Sequence, residues 1–235
     1  MGRRMGKGCL NFRDGTELDL DYAFPSELKT VAMSMSGGVE SAALYLLLER
    51  FYGRDNVYVF SAHIDRRDWE AEKARALCED LHVSHSTHFR VFNDNFHDMS
   101  PLENKRLRMM AQKVISYDGW FNGANKLLFA PTKILSDKHK QQVRLEGVYL
   151  PFIDLLKQNT IEIFYLLGRQ DILWKTHSCT VNHYNEGHCG KCYCCHERVR
   201  GFGVLGERDQ ATYNVKWDSI LQECYYSDKH LVKNW

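Results

Sequence analysis

Residues 30–35 read Thr-Val-Ala-Met-Ser-Met and run directly into Ser36-Gly37-Gly38, after which an apolar stretch extends from Ser41 to Tyr52. A buried strand, a turn in which two glycines remove the Cβ obstruction, and a helix are the elements such a passage predicts. The unit then repeats. Val57 to Ile64 is β-branched and aromatic in its first half, and Ala74, Leu77, Cys78 and Leu81 beyond it share one face at 3.6-residue spacing. A third pair is expected from residues 88–92 and a helix over 102–115, with Leu107, Met110, Ala111, Val114 and Ile115 on one face; residues 126–129 are the candidate fourth strand. Strands alternating with amphipathic helices imply an α/β fold: a doubly wound, mainly parallel sheet, with helices on both faces and right-handed crossovers. Ligands of such sheets sit at the carboxyl ends of the strands, where the first glycine turn lies.

The chain has 235 residues, 44% of them hydrophobic and 26% charged, enough for one well-buried domain with a small appendage. Thirty-one Lys and Arg against 30 Asp and Glu leave a formal charge of +1, so no global positive field draws the chain to duplex DNA or an anionic membrane. Lys133, Lys138, Lys140 and Arg144 form a local basic run that reads most simply as a solvated face. The basic N-terminus leads into Asn11, Arg13, Asp14 and Glu17 rather than an apolar core segment, and apolar runs such as 42–48 fall short of the roughly 20 residues that span a bilayer. A cytoplasmic location is the expectation. Asn159 and Glu162 have capping-box spacing ahead of Ile161, Phe164, Leu166 and Leu167, and Gly168 is a helix stop.

Two groups of residues carry chemistry. In residues 36–41, Ser-Gly-Gly-Val-Glu-Ser, successive backbone N–H groups and the start of the following helix can point at a phosphate, with Ser36 and Ser41 adding hydroxyls. The spacing and lysine of a Walker A loop are absent, and an ordinary strand-to-helix turn is the competing reading. The second group is Cys189, Cys192 and Cys195, with Cys179 ten residues upstream. Thiolates so spaced can wrap one tetrahedral ion, and four of them complete a closed Zn2+ site contributing on the order of 10 kcal/mol to folding. An iron–sulfur cluster would use similar ligands, and redox or simply buried cysteines are the remaining alternative. Cys194 falls between two ligands and is expected to point elsewhere.

The string SGGVES resembles the SGGxDS pyrophosphate loop of the N-type ATP pyrophosphatases. Its pairing with a late cysteine-rich segment is similar to the 7-cyano-7-deazaguanine (preQ0) synthase family. Further residues carrying the resemblance are Ser178-Cys179, Cys189-Gly190, Arg198, Gly201-Phe202, Gly206, Asp209 and Thr212-Tyr213, with Pro151, Lys157 and Ile161 before the first cysteine, and Gly123 and Asn125, which resemble the Gly-x-Asn that follows the family's own fourth strand. The resemblance spans residues 30–213 and is thin in the middle. It implies an adenine nucleotide alpha hydrolase-like fold and three regions: an N-terminal extension (1–29), a nucleotide-binding α/β domain (30–176) and a zinc-binding C-terminal region (177–235). ATP would be held by Met35, Ser36, Gly37, Gly38, Val39, Glu40 and Ser41, Mg2+ would be bound through Glu40, and Zn2+ by Cys179, Cys189, Cys192 and Cys195. Glu40 and Lys157 would be the catalytic residues, Lys157 against phosphate charge. The implied reaction is ATP-driven conversion of 7-carboxy-7-deazaguanine and ammonia to the nitrile, with homodimerisation implied by resemblance alone and no stable nucleic-acid partner.

The chain departs from that pattern in two places. Glu40 stands where the family has Asp, and the extra methylene moves the carboxylate by more than about 1 Å. Residues 126–131, Lys-Leu-Leu-Phe-Ala-Pro, replace the family's substrate-side stretch. Transfer RNA thiolases also join an SGG loop to cysteines, and a zinc-stabilised nucleotide-binding module without catalysis is the non-enzymatic alternative.

Overall fold

The structure, a computed structural model, describes residues 8–64, 68–91, 105–125, 144 and 146–231. The chain begins with a short antiparallel hairpin, β1 (Cys9–Asn11) with β2 (Glu17–Asp19), and the one-turn helix α1 (Leu20–Ala23). The main sheet is built from β3 (Val31–Ser34), β4 (Val57–Ile64), β5 (His85–Val91), β6 (Gly119–Phe121) and β7 (Val148–Tyr149). Its spatial order is β5-β4-β3-β6-β7, and every neighbouring pair is parallel. Strand order therefore reverses between β3 and β6, and their carboxyl ends form the crevice where doubly wound sheets bind ligands.

The helices are α2 (Val39–Tyr52), α3 (Asp68–Asp80), α4 (Lys105–Ala111), α5 (Lys157–Leu167), α6 (Gln170–Leu173), α7 (Tyr193–Val204) and α8 (Trp217–Leu231). Both faces of the sheet are covered. Val31, Met33, Val57, Val59 and Phe121 pack with residues of α2, α3 and α5, whereas Ala32, Phe60 and Trp120 pack with Leu107 and Ala111 of α4. This division is the period-two alternation of strand side chains, and burial on both faces is why 31–33 read as an unbroken apolar run. Helix α2 is buried around most of its circumference from Val39 to Leu48, which explains its weak apolar–polar segregation. No helix among the described residues is long and apolar enough to cross a membrane.

Several boundaries differ from expectation. The strand beside β3 is Gly119–Phe121, not 126–129, which lies outside the described residues. Its place is set by Asp118, whose carboxylate accepts from the N–H groups of Lys29 (2.8 Å) and Thr30 (2.9 Å), while the Asp118 N–H donates to the Thr30 carbonyl. The expected third helix ends at Ala111, and Val114 is exposed beyond it. Helix α5 starts at Lys157, two residues before Asn159. Asn159 occupies the third helical position and its side chain accepts from the Leu156 N–H at 2.9 Å. Glu162 accepts instead from the Arg13 N–H at 3.2 Å, and Asn159 donates to Asp14 at 2.8 Å, docking the N-terminal hairpin on α5. Leu10, Phe12, Leu18 and Phe24 share the main core, so the hairpin is packed into the α/β body.

Candidate functional site

The residues 36–41 turn out of β3 at the reversal point of the sheet. Met35 still belongs to the strand ladder, its N–H donating to Phe60 O at 2.8 Å, and the side chains of Met35 and Val39 are both in the core. Only backbone groups of these two residues face the turn's chemistry. Gly37 has φ +79°, a conformation that side-chain-bearing residues adopt at a cost, and a Cβ there would lie 2.8 Å from Lys73 Cγ and 2.9 Å from its carbonyl carbon. Gly38 is the N-cap of α2 and supplies no side-chain cap, so the first N–H groups of a 14-residue helix have neither an intrahelical nor a capping side-chain acceptor. Ser36 and Ser41 are linked hydroxyl to hydroxyl at 3.2 Å, the Ser41 hydroxyl donates to Gly38 O at 3.1 Å, and Gly38 N–H reaches Ser36 Oγ only at 3.4 Å. Weakly engaged donors around an uncapped helix start are the chemistry of an anion cradle, and the turn fits the phosphates of a nucleotide.

Across the crevice, a Cβ on Gly123 would lie 2.9 Å from Glu40 O, so only glycine lets the segment after β6 approach the start of α2 this closely. Lys157, the first residue of α5, is 5% exposed and pairs with the Glu40 carboxylate. Burial disfavours the Lys157 ammonium, but Glu40 and Glu197 outweigh it and its pKa is raised. The two catalytic candidates are thus brought together, each as the counter-ion of the other. The longer Glu40 side chain spans a gap between α2 and α5 that sequence reasoning had no means to see.

The four expected metal ligands also converge. The Sγ atoms of Cys179, Cys189, Cys192 and Cys195 all lie within 4.8 Å of one another, with Cys189–Cys195 and Cys179–Cys192 at 3.9 Å and Cys192–Cys195 at 3.4 Å. A tetrahedron of thiolates at about 2.3 Å from one Zn2+ has edges of about 3.8 Å, so the donor set fits a single ion. A [4Fe–4S] cluster binds each thiolate to a different iron and needs them farther apart. Backbone N–H groups of Val181, Asn182 and Cys189 point at Cys179 Sγ, and those of Lys191 and Cys192 at Cys189 Sγ, at 3.3–3.4 Å. Such donors stabilise thiolate. The hydrogen bond between the Cys192 and Cys195 sulfurs is the largest cause pulling Cys192 down to about 4 and pushing Cys195 up. Cys194 is outside this set. Burial pushes its thiol up to about 11, and the charges that act on it include Lys157, Glu197 and Glu40.

Two contacts of the turn escaped sequence reasoning. Lys73 of α3 is buried against Gly37, and the His177 N–H donates to Gly37 O at 2.9 Å. Burial, then the charges of Lys73 and Arg198, depress the His177 ring to about 4. Neither residue has a local sequence signal, because each acts through a partner more than thirty positions away.

Comparison with known proteins gives a partial family match. A profile described as Queuosine biosynthesis protein QueC matches residues 129–206, which include Lys157 and the four cysteines but not the turn at 36–41. No curated protein matches in sequence. Among solved structures, the chain is similar to a glutamine-dependent NAD+ synthetase from Acinetobacter baumannii in complex with ADP, at 15% identity and TM-score 0.42 over 63% of this chain and 30% of that one. It is similar also to an NH3-dependent NAD synthetase from Campylobacter jejuni subsp. jejuni NCTC 11168 in complex with nitrate, at 17% identity and TM-score 0.40 over 65% of this chain and 69% of that one. A third is the U34-tRNA thiolase NcsA from Methanococcus maripaludis with its [4Fe-4S] cluster, at 14% identity and TM-score 0.39 over 90% of this chain and 76% of that one. The chain spans 30% of the length of the first of these.

Proposed function

We propose that the protein is an ATP-dependent carbon–nitrogen ligase that converts a deazapurine carboxylate, 7-carboxy-7-deazaguanine, and ammonia to 7-cyano-7-deazaguanine. The observation that carries the reading is the conjunction of an uncapped glycine turn at the sheet's reversal point with a single-ion thiolate site, on a chain whose cysteine segment matches the queuosine profile. In this reading residues 35–41 hold the ATP phosphates, Cys179, Cys189, Cys192 and Cys195 hold structural Zn2+, and Mg2+ supplies charge neutralisation on the phosphates.

A carboxylate resists attack by ammonia until one oxygen becomes a leaving group. Its oxygen attacks the α-phosphorus of ATP and pyrophosphate departs; ammonia then displaces AMP to give the amide. A second adenylation, on the amide oxygen, and loss of AMP and protons leave the nitrile. The protein's part is to hold the departing pyrophosphate with the N–H groups at the start of α2, and to place Lys157 and Glu40 beside it. Lys157 offers a buried cation to the phosphates, while Glu40 is the carboxylate available for Mg2+ once the pair opens. The stretch that the resemblance puts on the acceptor's side, residues 126–131, lies outside the described residues.

Purified protein incubated with ATP, Mg2+, ammonia and 7-carboxy-7-deazaguanine should release AMP and pyrophosphate and yield nitrile or amide by mass spectrometry. Absence of turnover, with thiolation of transfer RNA when a sulfur donor is supplied, would replace this reading with that of a thiolase. ATP binding without turnover under either condition would favour a lapsed nucleotide-binding module.

A further inference from the structure

The side chain of Arg198 is completely buried on α7, one turn beyond the ligand Cys195. A guanidinium has five N–H donors, and each has an acceptor here. Nε donates to Asp209 Oδ2 at 2.5 Å and Nη2 to Asp209 Oδ1 at 3.0 Å, forming a two-pronged ion pair. The remaining donors turn away from the carboxylate toward the chain ahead of the first cysteine. Nη2 also donates to Leu173 O at 3.2 Å, and Nη1 to Thr176 O at 3.2 Å and Thr176 Oγ1 at 2.6 Å. Asp209 is fixed in turn by the Tyr213 hydroxyl at 2.7 Å and the Ala211 N–H at 3.1 Å. Burial opposes ionisation of Asp209, but Arg198 more than offsets it and holds the carboxyl below its usual range.

The residue after Thr176 is His177, whose N–H donates to Gly37 O. The Gly37–Gly38 peptide is trans, so its carbonyl and its N–H point to opposite sides. Fixing the carbonyl on His177 therefore aims the Gly38 N–H the other way, toward Ser36 Oγ and the mouth of the turn. Gly37 is a residue with an unusually free backbone, and without an anchor this peptide could rotate its donor off a bound phosphate. Lys73 lies against the same glycine, and a Cβ on Gly37 would fall 2.8 Å from its Cγ.

We infer that Arg198 is a positioning residue for phosphate binding: by clamping Leu173 and Thr176 it holds the His177 N–H on Gly37 O, and so orients the Gly38 N–H toward the nucleotide's pyrophosphate. The inference rests on the proposed role of residues 36–41. It gives the buried Arg198–Asp209 pair a task beyond packing, because the acceptors that complete the guanidinium belong to Leu173 and Thr176, on the strip of chain that touches the turn.

The test uses Arg198→Lys, which keeps a charge for Asp209 but loses the fork, and Thr176→Val, which at nearly constant shape removes the hydroxyl that accepts from Arg198 and donates to Leu173 O. Dissociation constants for pyrophosphate, ATP and adenosine are measured by calorimetry with Mg2+, alongside bound-metal content and melting temperature. Loss of one charge-assisted hydrogen bond corresponds to about a tenfold weakening, expected for pyrophosphate and ATP, with adenosine and metal content unchanged. A general loosening would weaken adenosine equally, and that result, or pyrophosphate affinity within about twofold of wild type in the folded variants, overturns the inference. If Arg198→Lys does not fold, Thr176→Val decides alone. Wild-type protein that binds neither pyrophosphate nor ATP would sink the phosphate-binding role itself, and the inference with it.

Discussion

Replacing Gly37 by alanine perturbs the turn in two separable ways. The residue has φ +79°, and placing a Cβ in that region costs about 1–2 kcal/mol. The same Cβ would lie 2.8 Å from Lys73 Cγ, 2.9 Å from Lys73 C and 3.0 Å from Lys73 O, and two of these atoms are helix backbone that cannot swing aside. Overpacking of this kind costs about 1–3 kcal/mol. The sum is about 2–5 kcal/mol, a large share of the 5–15 kcal/mol typical of a folded chain. With a guanidinium m-value of about 5 kcal/mol/M for a chain of this size, the unfolding midpoint should fall by about 0.4–1 M. Gly168 and Gly206 supply the control: both have φ near +70° and open space at the Cβ position, so alanine there should cost only the backbone part, about 1–2 kcal/mol. The measurement is chemical denaturation of the three variants in parallel. Equal losses at Gly37 and Gly168 would show that α3 does not press on the turn, and would refute the packing described for the site.

Cys192→Ser should lose bound metal and lower the melting temperature, whereas Cys194→Ser, outside the thiolate set, should retain metal as read by elemental analysis. Chelation of metal from the wild-type protein should selectively destabilise residues 177–231, seen as lost hydrogen-exchange protection, because binding energy on the order of 10 kcal/mol is coupled to folding there. Asp209→Ala leaves the Arg198 charge buried without its partner and should cost about 3–5 kcal/mol in denaturation midpoints. Glu40→Gln removes the counter-ion of Lys157, which is 5% exposed, and should destabilise by about 1–3 kcal/mol while weakening Mg2+-dependent nucleotide turnover.

What the sequence revealed follows the range over which each signal acts. Val57–Ile64 is long and β-branched enough to announce its own limits, and the cysteine spacing is local, so three candidate ligands could be read from seven residues. Gly119–Phe121 is too short to display a period and starts with glycine; it is a strand because Asp118 ties it to Thr30 and because β3 lies beside it. Asn159 has the composition of a helix start, yet its carboxamide serves the Leu156 N–H from inside the helix while Asp14 takes its other end, a contact 145 residues apart. The glycine turn announced itself through the strand and helix on either side. The residues that press on it, Lys73 and His177, and the Arg198 clamp behind His177, are placed only by the tertiary fold.

The most direct test of the proposed chemistry follows the oxygen. If the carboxylate is activated by adenylation, a substrate carrying heavy oxygen in its 7-carboxyl group must pass that oxygen to AMP when ammonia displaces it. Incubation of the protein with labelled 7-carboxy-7-deazaguanine, ATP, Mg2+ and ammonia should therefore yield isotopically heavy AMP together with unlabelled pyrophosphate. Release of ADP and phosphate, or of AMP without label, would contradict the account.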